Sequence, residues 1–485
     1  METYSIITFV LAFVTVINIL LAAVVVFIER RDIGSTWAWL LILFFIPIVG
    51  FIVYLFLGRQ LKQKNFYNLS AEERDHLKSA VNEQISKLKE GDDYQKNDVL
   101  NKHSKLLLMN LTSSNSLIST DNNIDILSDG HKKFATLFRD IKEAKKEINI
   151  QYYIIQRDSL GEKLRDELTK KAKEGVKVRI LYDEIGSRRM SSSFFKELIS
   201  YGGEVEVFFP STLKLVNFRI NNRNHRKLCI IDGEVAFIGG FNFGDEYLGL
   251  NKKFGYWRDT HFRIIGGAVD DIQARFILDW HQATKQKRVQ IEQFEYRAEK
   301  HSGTSPVQIV ASGPNSQTEH LKNMYIKLIM SAKESVFIQT PYFIPDSSFM
   351  DACKIALLSG VDVRIMIPNK PDHPFVYWAT WAYAGELLKY GANILLYENG
   401  FMHAKMIVVD QEVASVGTTN IDPRSFRLNF EVNAVVYDEN TAKELHELFI
   451  QDSQLSSELT IETYRDRSFV IKLKEAVSRL LSPIL

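Results

Sequence analysis

At 485 residues, with 46% hydrophobic and 25% charged side chains, the chain is long enough for about three ordered domains, and its composition excludes disorder as the default. Its 60 basic and 59 acidic residues leave a formal charge of +1, so there is no global case for nucleic acid as a partner, and affinity for anions has to come from local clusters. Two cysteines, Cys229 and Cys353, each inside an apolar run that reads as core, exclude a disulfide framework.

The N-terminus breaks this balance. Residues 3–28 and 33–58 are each 26 residues without a charged side chain, and a bilayer span needs about 20. A cleaved secretory signal has a basic start and an apolar core of about 7–15 residues, whereas here residue 2 is glutamate and the apolar run is longer. The expectation is a transmembrane helical hairpin over residues 1–58. Trp37 and Trp39 would sit at the interface, and Pro47 is tolerable mid-span where a local adjustment satisfies the carbonyl it frees. Two spans place everything outside the short connection on one side. Arg59, Lys62 and Lys64 outnumber Arg30 and Arg31 of the connection, which favours a multi-pass protein of the cell membrane with a cytoplasmic body.

Residues 59–123 are polar and rich in Lys and Glu and read as a helical connector, with a capping box at Ser70-Ala-Glu-Glu73 opening a helix towards Glu90. Beyond it the chain repeats itself. Ile148-Asn-Ile-Gln-Tyr-Tyr-Ile154 has a partner in Val336-Phe-Ile-Gln-Thr-Pro-Tyr-Phe-Ile344, and Gly175-Val-Lys-Val-Arg-Ile-Leu181 in Gly360-Val-Asp-Val-Arg-Ile-Met366. Strand, helix, strand, helix, strand in each copy argues for the α/β class: a duplicated α/β sandwich with pseudo-twofold symmetry, one half at 124–300 and the other at 301–485.

Each copy reaches a His-x-Lys-x4-Asp motif: His225, Lys227 and Asp232 in the first, His403, Lys405 and Asp410 in the second, with an offset of 178 at all three positions. A lone copy of so short a pattern reads first as a structural histidine, but two at matching repeat positions do not arise by chance. On a strand, residues two apart share a face, so His and Lys point together and Asp to the other side, where satisfying backbone is a more natural role than chemistry. A hairpin loop at Gly233-Glu234, and at Gln411-Glu412 in the second copy, would set Asn242 opposite His225 and Asn420 opposite His403, with Gly240 and Thr418 facing the lysines.

Two imidazoles, two ammonium groups and two amides suit an enzyme that holds a phosphodiester anion and exchanges its ester oxygen. One imidazole would attack phosphorus while the other protonates the leaving alcohol, and the lysines and asparagines would stabilise the non-bridging oxygens. An alcohol resolving the phosphohistidine gives transfer; water gives hydrolysis. Asp259 and Glu431, each shortly after the hairpin of its own half, are the candidates for fixing the imidazole tautomers. Arg219, Arg223 and Arg226 form a basic cluster suited to phosphate. Lysine beside each histidine disfavours zinc, and neither a metal nor another cofactor is expected.

These motifs, with Gly239-Gly-Phe-Asn242, Gly417-Thr-Thr-Asn-Ile-Asp-Pro-Arg-Ser425, Pro371-Asp-His-Pro374 and the N-terminal hairpin, resemble the phospholipase D superfamily, and within it the bacterial cardiolipin synthases. The resemblance covers nearly the whole chain. It implies a phosphatidyltransferase that condenses two phosphatidylglycerol molecules in a lipid membrane to cardiolipin and glycerol, with the nucleophile on the first motif. A phospholipid hydrolase or another phosphatidyltransferase of the superfamily is the alternative, and Gly417-Thr-Thr stands where a serine-containing version is more usual. The C-terminal segment 468–485 carries apolar residues at helical spacing beside Lys472, Lys474 and Arg479, which fits either an interfacial helix or docking onto the core. Residues 375–383, with Trp378 and Trp381, either line a lipid entry or pack in the core.

Overall fold

The computed structural model describes residues 2–27, 33–58, 61, 66–67, 69–90, 97–211, 219–285 and 303–482. The first helix is Glu2–Phe27; the second stretch is not one helix but Ile33–Phe45 and Pro47–Val53, running into a π-helical turn at Tyr54–Gly58. Pro47 stands at the first position of its helix, where no N–H is needed, yet it leaves the carbonyl of Leu43, four residues back, without a donor. Asn18 of the first helix supplies one: its Nδ2 donates to Leu43 O at 3.1 Å and to Pro47 O at 3.0 Å. This is the adjustment that a mid-run proline requires. Val25, Leu43 and Tyr54 form a small core between the helices; Trp39 turns inward onto Tyr54 while Trp37 stays exposed. The second run breaks at Ile46. Among the described residues no helix is long and apolar enough to cross a membrane. Arg30, Arg31, Arg59, Lys62 and Lys64, on which the orientation count rests, lie outside the described residues.

The capping box forms as read: Ser70 N donates to Glu73 Oε2 at 2.6 Å, Glu73 N donates to Ser70 Oγ at 3.1 Å, and the helix Ala71–Glu90 follows. The helices Asp98–Lys102 and Ser104–Ser114 come before both repeats but pack on the second, with Leu106, Leu107 and Leu111 in one core with Val310, Tyr325 and Val435.

The strands are β1 (Ile118–Asp129), β2 (Glu147–Tyr152), β3 (Lys177–Asp183), β4 (Glu204–Phe208), β5 (Arg223–Asn224), β6 (Leu228–Ile231), β7 (Val235–Gly239) and β8 (Trp257–Ile265). The second set is β9 (Ser305–Ser312), β10 (Ser335–Gln339), β11 (Asp362–Pro368), β12 (Asn393–Tyr397), β13 (Phe401–Met402), β14 (Met406–Val409), β15 (Val413–Gly417), β16 (Asn429–Val436) and β17 (Ser456–Glu458). In the first half β4, β3 and β2 are parallel, and β6, β7 and β8 continue antiparallel. The second half repeats this with β12, β11, β10, β14, β15 and β16. β1 pairs with β8 on one side and β9 on the other, and so stitches the halves together. Residues alternate between two environments. Ile148, Ile150, Val178 and Cys229 face the first half's helices, whereas Leu228, Ile230 and Ile264 join Met406, Val408 and Val432 in a core common to both halves. Such a core makes the pair of halves one folding unit. Both cysteines are buried and free.

The hairpin register differs by one from the expectation. β6 and β7 pair Ile231 with Val235, and β14 and β15 pair Val409 with Val413, so that Asn242 and Asn420 do not face the histidines. The turn falls one residue earlier than Gly233-Glu234. Asp232 and Gly233 take φ of 56° and 67°, Asp410 and Gln411 take 52° and 55°, and Glu234 and Glu412 then add one residue before pairing resumes.

Candidate active site

Neither motif lies in an unbroken strand. β5 pairs in parallel with β16 of the other half, the chain crosses over at 225–227, and β6 then joins β2 of its own half. β13 does the same against β8 before β14 joins β10. Each histidine therefore sits where its chain passes between halves, its N–H bonded across the divide: His225 N to Phe430 O at 2.9 Å and His403 N to Arg258 O at 2.7 Å.

The same crossing decides which carboxylate meets which imidazole. His225 Nδ1 lies 2.9 Å from Glu431 Oε1, and His403 Nδ1 lies 2.6 Å from Asp259 Oδ2. Each ring is oriented by an acid from the opposite half, and both acids are the ones that the sequence singles out. A carboxylate at Nδ1 fixes the hydrogen there and turns Nε2 away from it. Gly240 and Thr418 attend to these acids, not to the lysines. A Cβ on Gly240 would lie 1.9 Å from Asp259 Oδ1, so only glycine lets that carboxylate in, and Thr418 Oγ1 donates to Glu431 Oε2 at 2.5 Å. Two aromatic neighbours escaped the sequence reading: Tyr153 stands edge-on to His225 and Trp257 tilts against His403, each with ring centroids 5.0 Å apart. Tyr153 lies in the repeated run, which was the signal available for it.

Both imidazoles are 9% exposed, and burial, which disfavours the charged form, pushes His225 down to about 4 and His403 to about 3. Lys405, with Nζ 2.8 Å from His403 Nδ1, adds to the fall at His403, while Asp259 opposes it there and Glu431 opposes the fall at His225. Lys227 Nζ donates to His225 O at 2.6 Å and Lys405 Nζ to His403 O, so each ammonium is held beside its own imidazole. Burial lowers Lys405 to about 8 and Lys227 well below the ordinary value. Burial alone would raise Glu431; His225, Lys227 and the Thr418 hydroxyl hold it below the usual range instead. Lys227 and Lys405 act electrostatically on each other and on both carboxylates, which makes the two motifs one site.

The remaining expected residues are placed elsewhere. Asp232 accepts backbone N–H from Lys145, Lys146 and Glu147 at 2.8, 2.7 and 2.9 Å, and Asp410 accepts from Lys333, Glu334 and Ser335, each at 2.8 Å. Both sit at the hairpin turns and anchor the starts of β2 and β10, facing backbone amides and not the imidazoles. Asn242 is spent on structure, accepting from Ile154 N at 3.1 Å and donating to Tyr247 OH at 3.0 Å; Asn420 is buried with its Oδ1 unpartnered. Arg223 is held by Asp183 at 3.3 Å, and Arg219 lies over the Phe209 ring. Arg226 leaves the proposed phosphate cluster altogether: it is 1% exposed and bound to Asp279 at 2.5 Å, with Tyr67 and Gln151 on the same carboxylate. In the second half Gln339 and Asp452 form a similar buried cluster, but its arginine, Arg258, reaches across from the first half, with Nε 2.9 Å from Asp452 Oδ2.

A family model described as "Cardiolipin synthase, PLD-like domain" matches residues 137–280 and 325–453, and one described as "Phospholipase_D-nuclease N-terminal" matches residues 10–59. The chain is 53% identical over 481 residues to the major cardiolipin synthase of Bacillus subtilis (strain 168), covering 99% of this chain and 100% of that one. It is 50% identical to cardiolipin synthase 2 of Staphylococcus epidermidis, with 97% and 96% covered, and 50% identical to the cardiolipin synthase of Listeria welshimeri, with 99% and 100% covered. Among solved structures, the phosphatidylserine synthase of Haemophilus influenzae superposes with a TM-score of 0.61 at 16% identity, over 79% of this chain and all of that one, which is a likeness of fold. With two crossed motifs in one site and full-length identity of this order, the chain belongs to the cardiolipin synthases of the phospholipase D superfamily and is a phosphatidyltransferase.

Proposed function

We propose that the chain condenses two phosphatidylglycerol molecules to cardiolipin and glycerol through a phosphatidyl-histidine intermediate. The observation that carries the reading is the crossed pair of imidazole–carboxylate contacts, His225 with Glu431 and His403 with Asp259, beside two buried lysines. An empty site with neutral imidazoles is ready for nucleophilic attack, and an arriving phosphodiester anion raises the proton affinity of the second ring. His225 Nε2 attacks phosphorus while the bond from phosphorus to the glycerol oxygen breaks and that oxygen takes a proton from His403. The second phosphatidylglycerol then gives its hydroxyl proton to His403, attacks phosphorus and breaks the P–N bond, so that cardiolipin leaves. Motif resemblance orders the two histidines, and the 2.6 Å carboxylate contact at His403 suits the ring that carries the proton. Lys227 and Lys405 stabilise the charge on the non-bridging oxygens, with Asn420 as the amide available to join them.

In this reading residues 1–58 are a transmembrane hairpin in the cell membrane, the connector that follows ends where β1 begins at Ile118 and not at 123, and the two halves run from there to about 300 and over 301–485, with the body on the cytoplasmic side. Apolar composition and the Asn18–Pro47 arrangement support the hairpin. The test is lipid product analysis with the purified full chain and phosphatidylglycerol. Cardiolipin and glycerol should form in equal amounts, and His225→Ala and His403→Ala should each lose at least about a thousandfold in rate. Phosphatidic acid as the main product would assign hydrolysis instead.

A further inference from the structure

The helix Phe469–Leu481 is docked inside out. Its inward stripe is polar: Glu475, 3% exposed, accepts from Arg467 Nε at 2.7 Å, Ser478 is 1% exposed, and Ser482 shares a hydrogen bond with Tyr383 at 3.0 Å. Arg479 reaches Glu386 at 2.8 Å, and Lys474 lies over the Trp378 ring. These contacts hold it to the helix Pro374–Leu387. The outward stripe is apolar, with Phe469, Leu473 and Leu480 exposed by 78%, 53% and 81%, and Val477 beside them. At about 100° per residue, Lys472 and Arg479 flank that stripe on one side and Lys474 on the other. The helix's one acid, Glu475, is buried against Arg467. A soluble surface helix has the reverse arrangement.

We propose that this face is a second membrane contact, which seats on a bilayer containing anionic phospholipid and holds the catalytic half that carries it against that bilayer. Basic side chains flanking an apolar stripe match negatively charged headgroups, and their long stems let the charges reach the interface while the stripe enters it. The supporting helix links this face to the site. It begins beside Asp372, which accepts from Tyr342 OH and is among the charges acting on Lys405, and Phe375 in its first turn is exposed as well. A bilayer under the stripe thus lies next to the end of the helix nearest the lysines, where substrate drawn from that bilayer has least distance to travel.

The inference rests on a bilayer phospholipid as substrate, but its test need not pass through catalysis. An environment-sensitive fluorophore is placed on the full chain at Leu473→Cys, Leu480→Cys or, as control, Ile199→Cys on the first half; Cys229 and Cys353 are buried and stay unlabelled. In bilayers of phosphatidylcholine with phosphatidylserine, a shallow spin-labelled lipid should quench positions 473 and 480 severalfold more than 199. Lys472→Glu with Lys474→Glu should weaken that contact by about fivefold per lysine. Equal quenching at all three positions, or no response to the charge reversals, overturns the proposal. Burial that grows with protein concentration and ignores lipid also overturns it, assigning the face to a second copy. In a separate arm, Leu473→Asp with Leu480→Asp should slow turnover of bilayer phosphatidylglycerol at least about tenfold while sparing a short-chain, water-soluble phosphatidylglycerol. Equal loss on both substrates would make the helix a structural prop and contradict the proposal.

Discussion

Glycine at position 240 and threonine at 418 occupy equivalent places in the two halves and do opposite things: one makes room for an acid, the other hydrogen-bonds one. Gly240→Ala would drive its Cβ into Asp259 and displace the carboxylate from His403. With the tautomer no longer held, kcat should fall by about 10²–10⁴ with KM little changed, measured by cardiolipin formation against phosphatidylglycerol concentration. A loss under about tenfold would mean that Asp259 is dispensable. The same imidazoles link stability to pH. Their folded values of about 4 and 3 lie below the usual 6.5, so between 6.5 and those values the unfolded chain binds protons that the folded chain refuses. Stability is whole above pH 6.5 and falls as pH drops, by about 2 kcal/mol for each ring at pH 5. The urea midpoint of the full chain in detergent should therefore fall from pH 7 to pH 5, and by less in His403→Gln. An equal fall in both proteins would deny the linkage.

The turn between β6 and β7 shows why an element can be legible while its register is not. Asp232-Gly233 announced a hairpin, but which two residues occupied its tip depended on Asp232 entering the left-handed region to aim its carboxylate at three amides of a segment 85 to 87 residues away. Nothing local records that partner. Asp232→Ala orphans all three amides, and the cost should be about 1–3 kcal/mol per amide left dry. The variant should melt earlier in detergent, while its turnover per folded molecule stays within about threefold of the parent, since the carboxylate does not touch the imidazoles. A chemical defect without loss of stability would return Asp232 to the reacting groups. Arg226 illustrates the same limit. Its charge was visible in the sequence, and its neighbour His225 made phosphate the natural partner, but adjacent residues on an extended chain point apart, and Arg226 went to buried Asp279.

At the scale of the molecule, duplication was readable from repeated runs and a constant motif offset, because each copy keeps the same strand order and the same glycine turns. The exchange of acids was not readable. It follows from β5 and β13 each pairing with a strand of the other half, a long-range choice that neither half's pattern contains. The consequence is mechanistic: neither half holds an oriented imidazole by itself, so the core common to both halves is a precondition for chemistry as well as for stability. The connector helices packed on the second half and the inverted C-terminal helix were likewise matters of which face met which neighbour. The central claim is that a histidine of this composite site carries the phosphatidyl group between two lipids. The direct measurement is to quench the enzyme during turnover of phosphate-labelled phosphatidylglycerol at alkaline pH, where phosphohistidine survives, and to map the label by peptide sequencing. Label on His225, chased into cardiolipin by unlabelled phosphatidylglycerol and absent from His225→Ala, is the predicted result; a turning-over enzyme that carries no label on either histidine would contradict it.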